Sequence, residues 1–115
     1  MIHQMKLNKQ PFSRIKSGKK TIEVRLFDEK RQKLRIGDQI EFSLIDNLSE
    51  KILVEIIGFS RFGNFKDFYS YHDYKKFGHP DGITLEQQVE NARKFYSVER
   101  ENKYGVLGIH IKLIK

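Results

Sequence analysis

The feature that most narrows the fold is an alternation of apolar and polar side chains that returns in several short runs. In TIEVRLF (residues 21–27), Ile22, Val24 and Leu26 point one way, while Thr21, Glu23, Arg25 and Phe27 point the other. That period of two is the signature of a β-strand. Residues 39–45 (QIEFSLI) and 51–59 (KILVEIIGF) read as two further strands, with a turn at Asp46-Asn47 between them. Residues 2–7 form a short opening strand. The closing GVLGIHIKLIK places Leu107, Ile109, Ile111 and Leu113 toward the core, with His110 and Lys112 facing away.

Helical signals fall between these runs. Pro11 and Gly18 bracket PFSRIKSG in the order a short helix favours, and Phe12 and Ile15 would be its buried face. Asn64 can cap a helix running through Tyr71, with Asp67 at its third position. Thr84 and Gln87 make a capping-box pattern, and Leu85, Val89, Ala92 and Tyr96 follow at amphipathic spacing. DEKRQKLRIGD is a polar connection holding at most a helical turn, and HDYKKFGHPDG reads as a loop. About five short strands in a meander, with three or four short helices, predict an α+β fold. The expected form is a small, partly closed β-barrel of five to six strands with helices packed around it, not a parallel α/β sheet.

A chain of 115 residues fits one domain, residues 1–115. Cysteine is absent, so neither disulfides nor thiolate metal sites are expected. No histidine spacing suggests a metal, and no cofactor fingerprint is present, so the expectation is no cofactor. The opening MIHQMKLNKQ lacks the apolar run of a signal peptide, and no stretch reaches membrane-spanning length. A cytoplasmic protein without membrane contact is expected.

Charge is unevenly placed. Between Lys6 and Arg35 there are eleven Lys or Arg against Glu23, Asp28 and Glu29, giving this segment +8, while the other 85 residues sum to −1. A field gathered this way concentrates anions such as phosphates; the competing reading is a solvated face that keeps the protein soluble.

The most specific segment within it is GKKTIEVR. Strand parity puts Glu23 and Arg25 on one face, just after a helix-to-strand turn that carries Gly18 and Lys20. Burying such a pair costs desolvation, so it makes most sense lining a cleft. There Arg25 can fork onto a phosphate or carboxylate while Glu23 orients it, and Lys20 adds a mobile point charge. The competing reading is a surface ion pair worth little energetically.

At these residues the chain resembles the ASCH-domain family, a branch of the PUA-like superfamily. The family motif G-x-K-x-x-E-x-R falls on Gly18, Lys20, Glu23 and Arg25 with nothing inserted. The likeness extends through GDQIEF and through YSVERENKYGVLGIHI to cover essentially the whole chain. It implies a β-barrel ringed by short helices, with the motif at the mouth of a cleft, and a role in RNA binding or RNA metabolism. One branch of similar length deacylates N4-acetylcytidine with a Lys, a Thr and a Glu, and another is linked to cutting single-stranded RNA. Lys20 matches the first branch's Lys, but Glu23 stands where that branch has its Thr. Thr21 would have to act from another position, and for the branch's Glu the candidates are Asp73 and Glu86.

Three functions follow. The first is a binding module for single-stranded RNA, a nucleotide or a nucleoside, using Gly18, Lys20, Glu23 and Arg25 with phosphate contacts from Lys16, Lys19 and Arg31. The second is a small hydrolase, an N4-acylcytidine amidohydrolase or a single-strand ribonuclease, with Lys20 and Glu23 at the chemistry. The third is an interaction domain for an acidic protein partner. Eight aromatics crowd residues 59–77; the Phe residues read mostly as core, while Tyr69, Tyr71 and Tyr74 are the stacking candidates. His72 and His79 sit in a loop that could cover the cleft, where a general base would be useful, although a solvated loop His is the commoner case.

Overall fold

A computed structural model describes residues 1–115. Its five strands are β1 (Ile2–Leu7), β2 (Ile22–Leu26), β3 (Gln39–Leu44), β4 (Asn47–Phe62) and β5 (Val106–Leu113). Its four α-helices are α1 (Lys9–Lys16), α2 (Phe65–Tyr71), α3 (Leu85–Arg93) and α4 (Val98–Tyr104). The strands form one sheet in the order β1-β3-β4-β5-β2, antiparallel except for the β1–β3 pair. This sheet curls into a half-barrel, and the helices pack around it.

Register decides what each face covers. Ile40, Phe42, Ile52, Val54 and Ile56 join Leu107, Ile109 and Ile111 in the larger apolar cluster, which α1 closes with Phe12 and Ile15. The other face of β2 and β5, with Ile22, Leu26 and Val106, packs on Phe65 and Phe68 of α2 and on Ala92 of α3. Both faces of β2 are therefore covered. Glu23 and Arg25 lie opposite Ile109 and Leu107, so they share the face of the larger core. A Glu–Arg pair there is at the rim of an apolar interior and not on a solvated sheet face.

β4 is longer than the 51–59 run suggests. A two-residue turn at Ile45-Asp46 feeds directly into it, one residue earlier than the sequence implies. Near its middle the register with β5 slips between Ile56 and Gly58, so Ile57 is the extra residue and is exposed. A bulge of this kind reverses side-chain parity along the strand. Before it the even-numbered residues face the larger core. After it Phe59 pairs with Ile109 on that face, and Gly58 and Ser60 turn to the helix side.

Several expectations need correction. The amphipathic run that includes Tyr96 is not one helix: α3 stops at Arg93, and Ser97 starts α4 by accepting a hydrogen bond from the Arg100 amide. Glu99 and Glu101 in the first turn suit its positive end, and Gly105 follows its last turn. His110 does not face solvent. It lies on the helix side of β5, half-buried, while Leu113 at the strand end is 38% exposed. The 72–82 segment is not a free cover either. It holds a 3₁₀ turn at Tyr74–Lys76, and buried Phe77 bridges to Lys20.

Candidate functional site

Local rules bring the motif together. α1 ends at Lys16 with Ser17 as its cap, and Gly18 follows at φ +81°, a left-handed conformation that costs other residues strain. The amides of Gly18 and Lys20 donate back to the carbonyls of Ile15 and Arg14, so the chain reverses from helix to strand within three residues. Lys20 thus arrives at the start of β2, three residues before Glu23.

The open side of the half-barrel supplies the space. β1 and β2 are the two edges of the sheet. At the two ends of β1 the carbonyls of Met1 and Leu7 accept from the amides of Gln39 and Ile45 on the β3 side, while those of Gln4 and Lys6 turn toward the seam. No strand pairs there. Instead, Arg25 Nη2 donates to the Lys6 carbonyl at 3.1 Å and Lys30 Nζ to the Gln4 carbonyl at 3.2 Å. A cleft of about 330 Å³ opens at this seam between β1, the start of α1, β2 and the end of α3.

At its base Glu23 is only 3% exposed. Lys20 Nζ lies 2.8 Å from its Oε1, and Arg25 Nε donates to Oε2 at 2.8 Å. Burial pushes the carboxyl up, but the charges of Lys20 and Arg25 and their hydrogen bonds outweigh it and hold the group at about 2. Burial works against the Arg25 cation in turn, and Glu23 more than compensates, raising its affinity for the proton. The trio is a pre-oriented ionic cluster at neutral pH.

Aromatic rings form the walls. Phe65, Tyr69, Phe77, Phe95 and Tyr96 all line the cleft. Burial, followed by the nearby Glu23 carboxylate, raises the Tyr69 phenol; burial also raises that of Tyr96, so both stay protonated donors. Phe95 is 67% exposed at the rim, an unusual setting for a large apolar ring. His79 also lines the cleft, with Nδ1 3.2 Å from Gln88 Oε1, and burial lowers its proton affinity. The charged side chains of the lining are Lys6, Lys20, Arg25 and Glu23.

The structure sorts the residues singled out in the sequence. Lys20, Glu23, Arg25 and Tyr69 meet in the cleft, positioned by Gly18. Lys16 points elsewhere, 3.4 Å from Glu50, and Lys19 is exposed outside the lining. Arg31 pairs with Asp28 at 3.3 Å beside the cleft. Tyr71 is 73% exposed on α2, and Tyr74 donates its hydroxyl to Asp81 in the loop. Thr21 is exposed, and its backbone is fixed between the Lys76 carbonyl and the Ile111 amide. Asp73 caps the Tyr74–Lys76 turn, and Glu86 is exposed on α3; neither carboxylate lines the cleft.

Sequence reasoning missed Phe95, Tyr96 and Asn91 as cleft residues and Glu101 as a buried carboxylate. Glu101 accepts from the Phe65 amide and from Arg93, each at 2.7 Å, and so ties α4 to α2 and α3. The Ser97 cap was the available signal for α4; nothing local marks Phe95 as a rim residue, because most of the cleft lining comes from distant parts of the chain.

Comparison with known proteins agrees with this fold. The ASCH domain model matches residues 5–115. The crystal structure of the hypothetical protein PH0355 is 36% identical, covering 99% of this chain and all of that one, with a TM-score of 0.88. The solution structure of protein PF0455 from Pyrococcus furiosus is 28% identical over 100% of this chain and 99% of that one, with a TM-score of 0.73. An ASCH crystal structure from Zymomonas mobilis shares the fold at 12% identity and a TM-score of 0.65, covering 96% of this chain and 66% of that one. No curated protein matches. No helix is long and apolar enough to cross a membrane. With the family model spanning nearly the whole chain and the half-barrel in place, the chain belongs to the ASCH domain family.

Proposed function

We propose that the seam cleft binds one nucleotide unit of single-stranded RNA, or a free nucleotide or nucleoside of the same chemistry. The observation that carries this reading is the Lys20–Glu23–Arg25 cluster set among aromatic walls. Glu23 and the Lys6 carbonyl engage Nε and one Nη of Arg25, which fixes the guanidinium plane. Its remaining N–H groups, with the other ammonium donors of Lys20, are free to meet a phosphate or a base carbonyl. Tyr69, Tyr96 and exposed Phe95 offer faces for a planar base. The volume sits at the small end of the roughly 300–1,000 Å³ typical of ligand pockets, which suits one nucleotide.

Binding fits the cleft better than hydrolysis does. A carboxylate held at about 2 is a poor general base at neutral pH. The lining also offers no Ser or Thr hydroxyl as a nucleophile. The decisive experiment is a salt series of fluorescence anisotropy on short single-stranded RNA, with calorimetry on free nucleotides, for wild type, Arg25→Ala and Phe95→Ala. The reading expects affinity to fall with salt, with a slope of about −0.7 per phosphate contacted. Phe95→Ala should weaken binding by a stacking contribution of about 1–3 kcal/mol. Binding indifferent to salt and to both substitutions would remove the cleft from the account.

A further inference from the structure

A second polar cluster lies on the helix side of the sheet, and none of its residues lines the cleft. It draws on three elements: Ser60 from β4, His110 from β5 and His72 from the residue that ends α2. Ser60 Oγ lies 2.9 Å from His72 Nε2 and 3.0 Å from His110 Nε2. A hydroxyl has one proton, so it donates to one imidazole and accepts Nε2–H from the other.

Both nitrogens therefore aim at one point from two sides. The ring centroids are 5.6 Å apart with planes at 63°. Two imidazoles on one tetrahedral zinc ion, with N–Zn of about 2.0–2.1 Å, hold their centroids roughly 5–5.5 Å apart. A small rotation of either ring closes the difference. Burial first, then the His110 ring and Lys76, lowers the proton affinity of His72; burial and Lys76 do the same to His110.

The backbone around the cluster is built to admit it. Gly108 sits opposite Ser60, and a Cβ there would come within 2.5 Å of Ser60 Oγ and 2.8 Å of the Phe68 ring. Gly58 sits opposite His110, where an added Cβ would make only ordinary contact with His110 Cβ and Cγ, at 3.8 and 3.9 Å.

We propose that His72 and His110, with the Ser60 hydroxyl between them, form a binding site for a divalent transition-metal ion of zinc's kind, with water filling the remaining positions. Two imidazoles and a hydroxyl suit zinc or cobalt and not magnesium or calcium, which want oxygen ligands. With no carboxylate in the cluster and the exposed Lys76 ammonium nearby, the site is open and exchangeable, weaker than a closed four-ligand structural site.

Zinc chloride titrated into the wild-type protein at pH 7.5, followed by imidazole NMR, tests the proposal. Saturation at one ion per chain should move the His72 and His110 signals. His3, held by Asp38, and His79, held by Gln88, should stay in place as internal controls. Cobalt should give the visible absorption of a tetrahedral centre, and His72→Ala or His110→Ala should each weaken binding by more than about tenfold. Because the map is made on wild type, a variant that fails to fold does not blunt it. No movement of these two rings at millimolar zinc, or saturation that moves His3 or His79 instead, overturns the assignment.

Discussion

Replacing Glu23 by Gln keeps the side chain's size and removes its charge, leaving Lys20 and Arg25 facing a neutral amide at the base of the cleft. The carboxyl moves from an ordinary 4.5 to about 2 on folding. At about 1.4 kcal/mol per unit, the ionised form contributes roughly 3 kcal/mol to stability. Loss of one partner from a buried ion pair costs a similar amount, about 3–5 kcal/mol. Because folding depresses this group, its contribution is complete above the unfolded value and is lost as pH falls from 4.5 toward 2. Wild type and Glu23→Gln should therefore differ by about 3 kcal/mol in urea unfolding at pH 7, and by about 2 kcal/mol less at pH 3. Glu29 and Asp38 are also held below their ordinary range, but they are present in both proteins and cancel in the difference. Stability curves that run parallel from pH 7 to pH 3 would show that Glu23 is not the ionised centre of a buried cluster.

Three further substitutions test the scaffold. Gly18→Ala places a Cβ at φ +81° in open space, so strain alone should lower stability by about 1 kcal/mol, read as a shift in the urea midpoint. Ser97→Ala removes the cap of α4 and should also cost about 1 kcal/mol, with faster amide exchange in that helix. Gly108→Ala forces a methyl against Ser60 and Phe68 and should destabilise by about 1–3 kcal/mol, while the Lys20–Glu23–Arg25 cluster keeps its NMR signature.

Much of the fold was legible because local chemistry and tertiary demand agreed. The alternation through Ile22, Val24 and Leu26 marks a strand whose apolar side needs cover, and α2 and α3 provide it. The Asn64 cap and the Thr84–Gln87 capping box announce helix starts that the structure contains. Where the reading failed, two residues of similar pattern had different partners. Tyr96 continues the apolar spacing of α3, yet Ser97 offers its oxygen to Arg100 and restarts the chain as α4. Ile56 and Ile57 look alike, yet one is buried at 0% exposure and the other is 53% exposed at a bulge.

The sequence by itself determined that Gly18, Lys20, Glu23 and Arg25 arrive together, because a helix-ending glycine and a period of two act over a few residues. Only the tertiary structure decided that this group faces a seam between β1 and β2, with Phe95 and Tyr96 brought to its rim from the far end of α3. The meeting of His72 with His110, 38 positions apart, belongs to the same class. Local geometry propagates through bonds and fades within a turn or two. Long-range neighbours are set by how the half-barrel curls and where β4 bulges, which depends on packing summed over the whole chain.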